Sequence, residues 1–261
     1  MAAPIKFGVG QSVRRKEDDA LIRGKGRYTD DVAPQPALHA LMLRSPHAHA
    51  KYAINASKAR GLPGVSLILT AEDVKDLGDL PCLFNFEVDP FTGTPYPILP
   101  RDEVRHVGDA VAFVVADTVD HARDAIEAIE VNWTPLPAVV GLANAVKKGA
   151  PQVWPEKPGN LLFDVSIGDK KAAEAAFAKA HAVAEVKIVN PRVVTNFMET
   201  RAAVCEYDAK RDHLTLTVGS QGSHRLRDIL CQNVLKIPVE KMRVICPDVG
   251  GGFGTKLFPY R

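Results

Sequence analysis

Apolar positions along the chain fall into short runs set between prolines and glycines. Residues 37–44 (ALHALMLR) lie between Pro36 and Pro46, and residues 65–70 (VSLILT) follow Gly61, Pro63 and Gly64, so each reads as a strand bounded by turns. Glu72 and Asp73 just after Thr70 predict a short N-capped helix over 71–77. The unbroken apolar run 110–116 (AVAFVVA) predicts a strand covered on both faces. Between 118 and 129, Ala122, Ala125, Ile126 and Ile129 recur at helical spacing, and alternation returns over 129–133. Residues 37–133 therefore read as one α/β domain.

The flanking segments read differently. Residues 10–31 are charged and glycine-punctuated without a periodic pattern, which predicts an extended arm lying on other protein, and the whole stretch 1–36 is assigned to it. Residues 79–101 are dense in proline and aromatic residues and read as a loop. The clearest shift in composition, with eight prolines and glycines, marks 134–160 as a linker. Beyond it, 161–261 reads as a second unit: an alanine-rich helix over 170–180, strands over 183–189, 201–207 and 213–218, a helix over 225–235, a strand over 242–246, and a glycine run.

Composition narrows the function classes. Hydrophobic residues at 46% and charged residues at 25% describe a folded globular chain, and 33 Lys+Arg against 31 Asp+Glu leave a net charge of +2 with no basic face for nucleic acid. None of Cys82, Cys205, Cys231 and Cys246 lies in a C-x-x-C pair, which argues against a zinc or iron–sulfur site and against a disulfide scaffold. The N-terminus turns polar before an apolar stretch forms, and no run approaches the length of a membrane span, so a cytoplasmic location is expected.

The segment 248–256 (DVGGGFGTK) follows a predicted strand and places four glycines in five positions. A backbone stripped of side chains brings N–H groups close to a polar or anionic ligand. Two nucleotide patterns fail on residue identity. Thr255 separates Gly254 from Lys256 where a phosphate loop needs Gly-Lys, and Thr255 also stands where the dinucleotide pattern begun at Gly250 requires glycine. Taken alone, the run would read as a flexible turn. His47 and His49 lack a third ligand nearby and read as a strand-end pair.

Four ordered stretches change that reading: 10–32 (GQSVRRKEDDALIRGKGRYTDDV), 41–50 (LMLRSPHAHA) with 107–115 (VGDAVAFVV), 196–204 (NFMETRAAV) with 217–227 (TVGSQGSHRLR), and 248–256. In these the chain resembles the molybdopterin-binding large subunit of the xanthine dehydrogenase and aldehyde oxidase family, nearest the branch that includes aerobic carbon monoxide dehydrogenase. The resemblance implies an α+β chain: an N-terminal α/β hammerhead domain, then the start of the molybdopterin-binding α+β domain. It implies cofactor contacts from Gln221, Gly251, Gly252, Phe253 and Gly254, with Gln221 and Phe253 near the molybdenum without ligating it. The Gln221 amide would hydrogen-bond an oxygen ligand of the metal, the Phe253 ring would bound the substrate pocket, and backbone N–H groups would address the metal ligands. Glu199 reads as a structural carboxylate paired with Arg201 or a backbone donor.

The implied activity is oxidative hydroxylation of an electrophilic carbon with water-derived oxygen, a glutamate general base activating the nucleophile. No segment matching that base is present, so no catalytic residue is assigned here. A partner chain supplying the rest of the large subunit, an obligate hetero-oligomer, and [2Fe-2S] and FAD subunits that carry those cofactors are expected. The cofactor would be molybdopterin, plain or as its cytosine dinucleotide. Where purine-oxidising members carry glutamate after the loop lysine, this chain has Leu257, which argues against xanthine as substrate. The alternatives are a non-catalytic scaffold or assembly subunit, or a truncated fragment of such an enzyme.

Overall fold

A computed structural model describes residues 12–82, 93–162, 164–191 and 193–261. In chain order it contains helix α1 (Asp18–Leu21), strands β1 (His39–Arg44) and β2 (Ala50–Asn55), helix α2 (Ser57–Arg60), strands β3 (Val65–Thr70), β4 (Glu103–Val104) and β5 (Ala110–Ala116), helix α3 (Val119–Ala128) and strand β6 (Glu130–Pro135). Then follow helices α4 (Leu142–Ala145) and α5 (Lys170–Ala178), strands β7 (Ala203–Asp208) and β8 (His213–Val218), helix α6 (Ser223–Ile229) and strand β9 (Met242–Ile245).

The first half is built on two antiparallel sheets of three strands, ordered β1-β5-β3 and β4-β2-β6. The unbroken apolar character of β5 has a direct cause. Ala112, Val114 and Ala116 pack with Ala122 and Ala125 of α3, while Val111 packs with Ala50 and Val104 of the second sheet. Each face of β5 is thus covered by a different layer. Alanine at 122 and 125 lets α3 sit close on the sheet, and its start is fixed by Thr118, whose hydroxyl accepts from the His121 N–H.

The second half carries a sheet of order β7-β8-β9, antiparallel between β7 and β8 and parallel between β8 and β9. Helix α6 continues as a π-helix over Leu230–Leu235 and ends at Lys236 in the left-handed region. That wider turn brings Val234 against the first half, where the Gly78 N–H donates to the Val234 carbonyl at 2.9 Å. Leu80 packs beside Ile229 and Val234 at the same seam. A Cβ on Gly78 would lie 1.7 Å from the Asn233 carbonyl oxygen, so only glycine permits the approach.

Several expectations are corrected. Residues 71–77 form turns rather than a helix. The Thr70 N–H and hydroxyl both donate to Asp73 at 2.8 Å, so Thr70 accepts no backbone N–H on its side chain as an N-cap would, and Gly78 and Pro81 follow before a helix can propagate. The arm is not wholly extended: it contains α1 and a 3-10 turn at Asp30–Val32. Strands β2 and β4 and helix α2 went unpredicted, the first because AKYAIN sets lysine and asparagine among its apolar residues.

The strand expected over 183–189 is absent. Val183, Val186, Ile188 and Val189 are strongly exposed, and without a neighbouring strand among the described residues their backbone has no ladder to join. Helix α5 buries no residue and rests on alanine propensity and its Asp169 cap, which accepts from the Ala172 N–H. Much of the proline-rich 79–101 tract and the first eleven residues lie outside the described residues.

Candidate functional site

The glycine run leaves β9 and doubles back over the β8–α6 turn. Gly251 (φ +100°), Phe253 (φ +46°) and Gly254 (φ +89°) all occupy positive φ, so the loop is a tight reversal in which Phe253 alone carries a side chain at a costly backbone angle. Gln221 sits at the start of the facing turn. Its Oε1 accepts from the Gly254 N–H at 2.9 Å, and its own N–H donates to the Lys256 carbonyl at 3.1 Å. A Cβ on Gly252 would lie 2.7 Å from Gln221 Oε1, so the bare backbone there is what admits the amide.

Sequence reading named Gln221, Gly251, Gly252, Phe253 and Gly254, and the fold sets Gln221, on the β8–α6 connection, directly against the loop that carries the other four. The Gly254 N–H is taken by Gln221 and the Gly250 N–H by Glu199 at 2.9 Å. Among the described residues, the N–H groups of Gly251, Gly252 and Phe253 and the Nε2 of Gln221 have no acceptor. Since Oε1 faces an N–H donor, the amide orientation is decided by the hydrogen bond, and Nε2 points its two donors elsewhere. Phe253 is 75% exposed, so its ring is no part of the core.

Beneath the loop lies a buried ion pair. Lys256, its side chain 1% exposed, places Nζ at 2.6 Å from Glu199 Oε2 and 3.1 Å from the Glu199 carbonyl, with the Phe197 ring 4.6 Å away. Burial pushes the Glu199 carboxyl up, but the bond from Lys256 and the Gly250 N–H together hold it below its ordinary value. Arg201 is therefore not the partner of Glu199. It reaches instead to the Thr255 carbonyl at 2.5 Å and lies over the Tyr260 ring. The structural role of Lys256 is not legible in the sequence, because its partner Glu199 lies 57 residues away along the chain. Its one signal was a lysine following a glycine run with acidic Glu199 in the neighbouring motif.

The N-terminal arm is the other unforeseen contributor. The Arg27 N–H donates to Asp248 Oδ2 at 2.8 Å and the Asp248 N–H to the Arg27 carbonyl at 3.0 Å, a paired bridge at the base of the glycine run. Thr29 reaches Glu199 Oε1 from its N–H and its hydroxyl, at 3.5 and 3.4 Å. A cleft of about 450 Å3 between Tyr28–Asp31 and Met198–Thr200 opens beside this contact.

Histidines 47 and 49 diverge: the first lies against the Trp133 ring, and the second is held between Glu103 and the Pro137 carbonyl, each at 2.8 Å. Among the described residues no group of three His, Cys, Asp or Glu is placed to hold a metal ion. The loop thus offers neutral hydrogen-bond donors, a set that fits oxygen atoms on a metal whose ligands come with its own organic carrier. No helix among the described residues is long and apolar enough to cross a membrane.

The α+β chain thus sets a glycine-rich loop with free amide donors against the Gln221 carboxamide, a surface that suits a polar ligand. Residues 153–261 match the model of the molybdopterin cofactor-binding domain, and 23–137 match that of the aldehyde oxidase and xanthine dehydrogenase a/b hammerhead domain. The chain belongs to the xanthine dehydrogenase and aldehyde oxidase family, in its molybdopterin-binding large-subunit part. It is 36% identical to the carbon monoxide dehydrogenase large chain of Afipia carboxidovorans, over 97% of this chain and 32% of that one. It is 32% identical to the nicotine 6-hydroxylase large subunit of Paenarthrobacter nicotinovorans, over 96% and 31%. The crystal structure of quinoline 2-oxidoreductase from Pseudomonas putida 86 superimposes with a TM-score of 0.85 at 36% identity, covering 96% of this chain and 32% of that one. The chain spans about a third of the length of these relatives.

Proposed function

We propose that this chain forms one wall of the molybdopterin site of a molybdenum hydroxylase, an oxidoreductase that hydroxylates an electrophilic carbon with oxygen drawn from water. The supporting observation is that the Gln221 amide, hydrogen-bonded to the glycine loop at Gly254, and three consecutive main-chain N–H groups of that loop, at Gly251, Gly252 and Phe253, lack protein acceptors among the described residues. When bound, the molybdenum–pterin group supplies two-electron redox chemistry.

Each residue of the chain has a definite part. Gln221 Nε2 would be free to donate to an oxygen at the metal, with the amide held in place by its Oε1 bond to Gly254. The amides of the glycine run complement negative charge on the cofactor, in its plain or cytosine dinucleotide form. The Phe253 ring, free of the core, bounds the substrate pocket. Leu257, in the turn that closes the loop, offers no carboxylate to a polar heterocycle, so the substrate is small or apolar rather than a purine. The general-base glutamate and the other pterin contacts belong to the part of the large subunit that is not among these 261 residues. Electrons leave through [2Fe-2S] and FAD subunits. Within this chain we assign 37–133 to the hammerhead domain and 161–261 to the cofactor domain, joined by 134–160.

The test is metal analysis of the assembled complex combined with Gln221→Ala. Molybdenum in the wild-type complex, with turnover depressed about 10-fold or more and assembly intact in the variant, is the expected result. An assembled complex without molybdenum overturns the proposal in favour of a scaffold role. Unchanged turnover in the variant removes Gln221 from the site.

A further inference from the structure

We infer that Glu199 is the positioning residue of the glycine loop, gripping its two ends so that the Gln221 amide and the 251–253 amides stand on one side. This rests on the functional reading above and adds to it a residue that touches neither substrate nor cofactor.

Glu199 meets the loop where it begins and where it closes. At the first end its N–H donates to the Gly250 carbonyl at 3.3 Å and its Oε2 accepts from the Gly250 N–H at 2.9 Å. At the second end, Lys256 Nζ binds the same Oε2 and the Glu199 carbonyl. The loop 250–256 is thereby closed on a single residue. The room for that side chain is itself built from glycine: a Cβ on Gly250 would lie 2.4 Å from Glu199 Cβ, and one on Gly219 would lie 2.9 Å from Glu199 Oε2.

The grip reaches Gln221 through Lys256. The Lys256 carbonyl accepts from the Gln221 N–H at 3.1 Å, so the residue whose side chain is locked by Glu199 also anchors the main chain of Gln221. Truncating Glu199 leaves a buried ammonium with one carbonyl and the Phe197 ring for company. A buried cation without its counter-charge moves toward water, taking the Gln221 anchor with it. The Thr29 N–H and hydroxyl both donate to Oε1, which makes the arm a third part of the same device.

The experiment compares wild type, Glu199→Ala and Glu199→Gln in the complete assembled enzyme. It reads molybdenum per complex under limiting molybdenum, the Mo(V) paramagnetic resonance signal, and hydrogen exchange of the 250–256 amides. In Glu199→Ala we expect faster exchange across the loop and molybdenum affinity lower by about 10-fold or more. Glu199→Gln keeps an oxygen acceptor for Gly250 and should recover part of the loss, with a shifted Mo(V) signal. Wild-type exchange and molybdenum content in Glu199→Ala overturn the inference. Where that variant does not assemble, Glu199→Gln decides: altered exchange and an altered signal support the inference, and wild-type values for both overturn it. A wild-type complex devoid of molybdenum strikes at the functional reading, whereas loop exchange reports on the grip independently.

Discussion

Arg261 lies 2.7 Å from Asp109 across the seam between the two halves of the chain, and the side chains are 8% and 0% exposed. The Arg261 guanidinium also donates to the Pro97 carbonyl and covers the Tyr96 ring at 4.2 Å. Its contact with Asp109 is a close charge pair rather than an aligned hydrogen bond, since Asp109 Oδ1 has no hydrogen-bond partner of good geometry among the described residues. Oδ2 accepts from the Arg105 N–H. The segment just past the glycine loop is thus pinned to the β4–β5 turn.

Asp109→Asn should therefore destabilise the chain by about 3 kcal/mol, because it leaves a buried guanidinium without its counter-charge. Denaturant unfolding reads the loss. A change within about 0.5 kcal/mol would mean that Arg261 is free to leave the seam.

At the second contact of that seam, Gly78→Ala should cost about 3 kcal/mol, since the added methyl meets the Asn233 carbonyl at 1.7 Å and backbone must move. Thermal unfolding with probes in each half checks this. Earlier melting of one half is expected, and an unshifted transition would contradict the packing.

Phe253→Gly separates stability from chemistry. The ring is 75% exposed and its residue holds φ +46°, so glycine relieves about 1 kcal/mol of backbone strain while losing a similar amount to greater freedom of the unfolded chain. Stability should stay within about 1 kcal/mol of wild type, while turnover falls through the loss of one pocket boundary. Unfolding free energy and kcat/KM measured on the same preparation decide it.

The Glu199 carboxyl, held below its ordinary value of 4.5, sets a pH dependence of known sign. Its folded form binds protons less readily than its unfolded form, so the stabilisation is fully present above 4.5 and is lost as pH falls through the lower folded value. Melting temperatures of wild type and Glu199→Gln should differ most near neutrality and converge on acidification. A gap that persists or widens at acid pH would assign the stabilisation to another group.

Local pattern carried much of the molecule. The apolar run 110–116, the helical periodicity over 118–129 and the strand over 213–218 each follow from neighbouring residues alone, because a strand or a helix face is specified within a few positions. The glycine run is visible in the sequence as an unusual density of glycine, and its contact with Gln221 is supplied by the fold. What tertiary structure alone decided are the contacts between distant residues: Lys256 with Glu199 rather than Arg201, Thr29 of the arm on the same carboxylate, and Arg261 on Asp109. A charge shows its sign in sequence but not its neighbour, and these partners are chosen by which loops the fold packs together. The same reason governs 183–189, whose strand-like residues stay unpaired here: a strand is completed by its partner, and no local pattern supplies one.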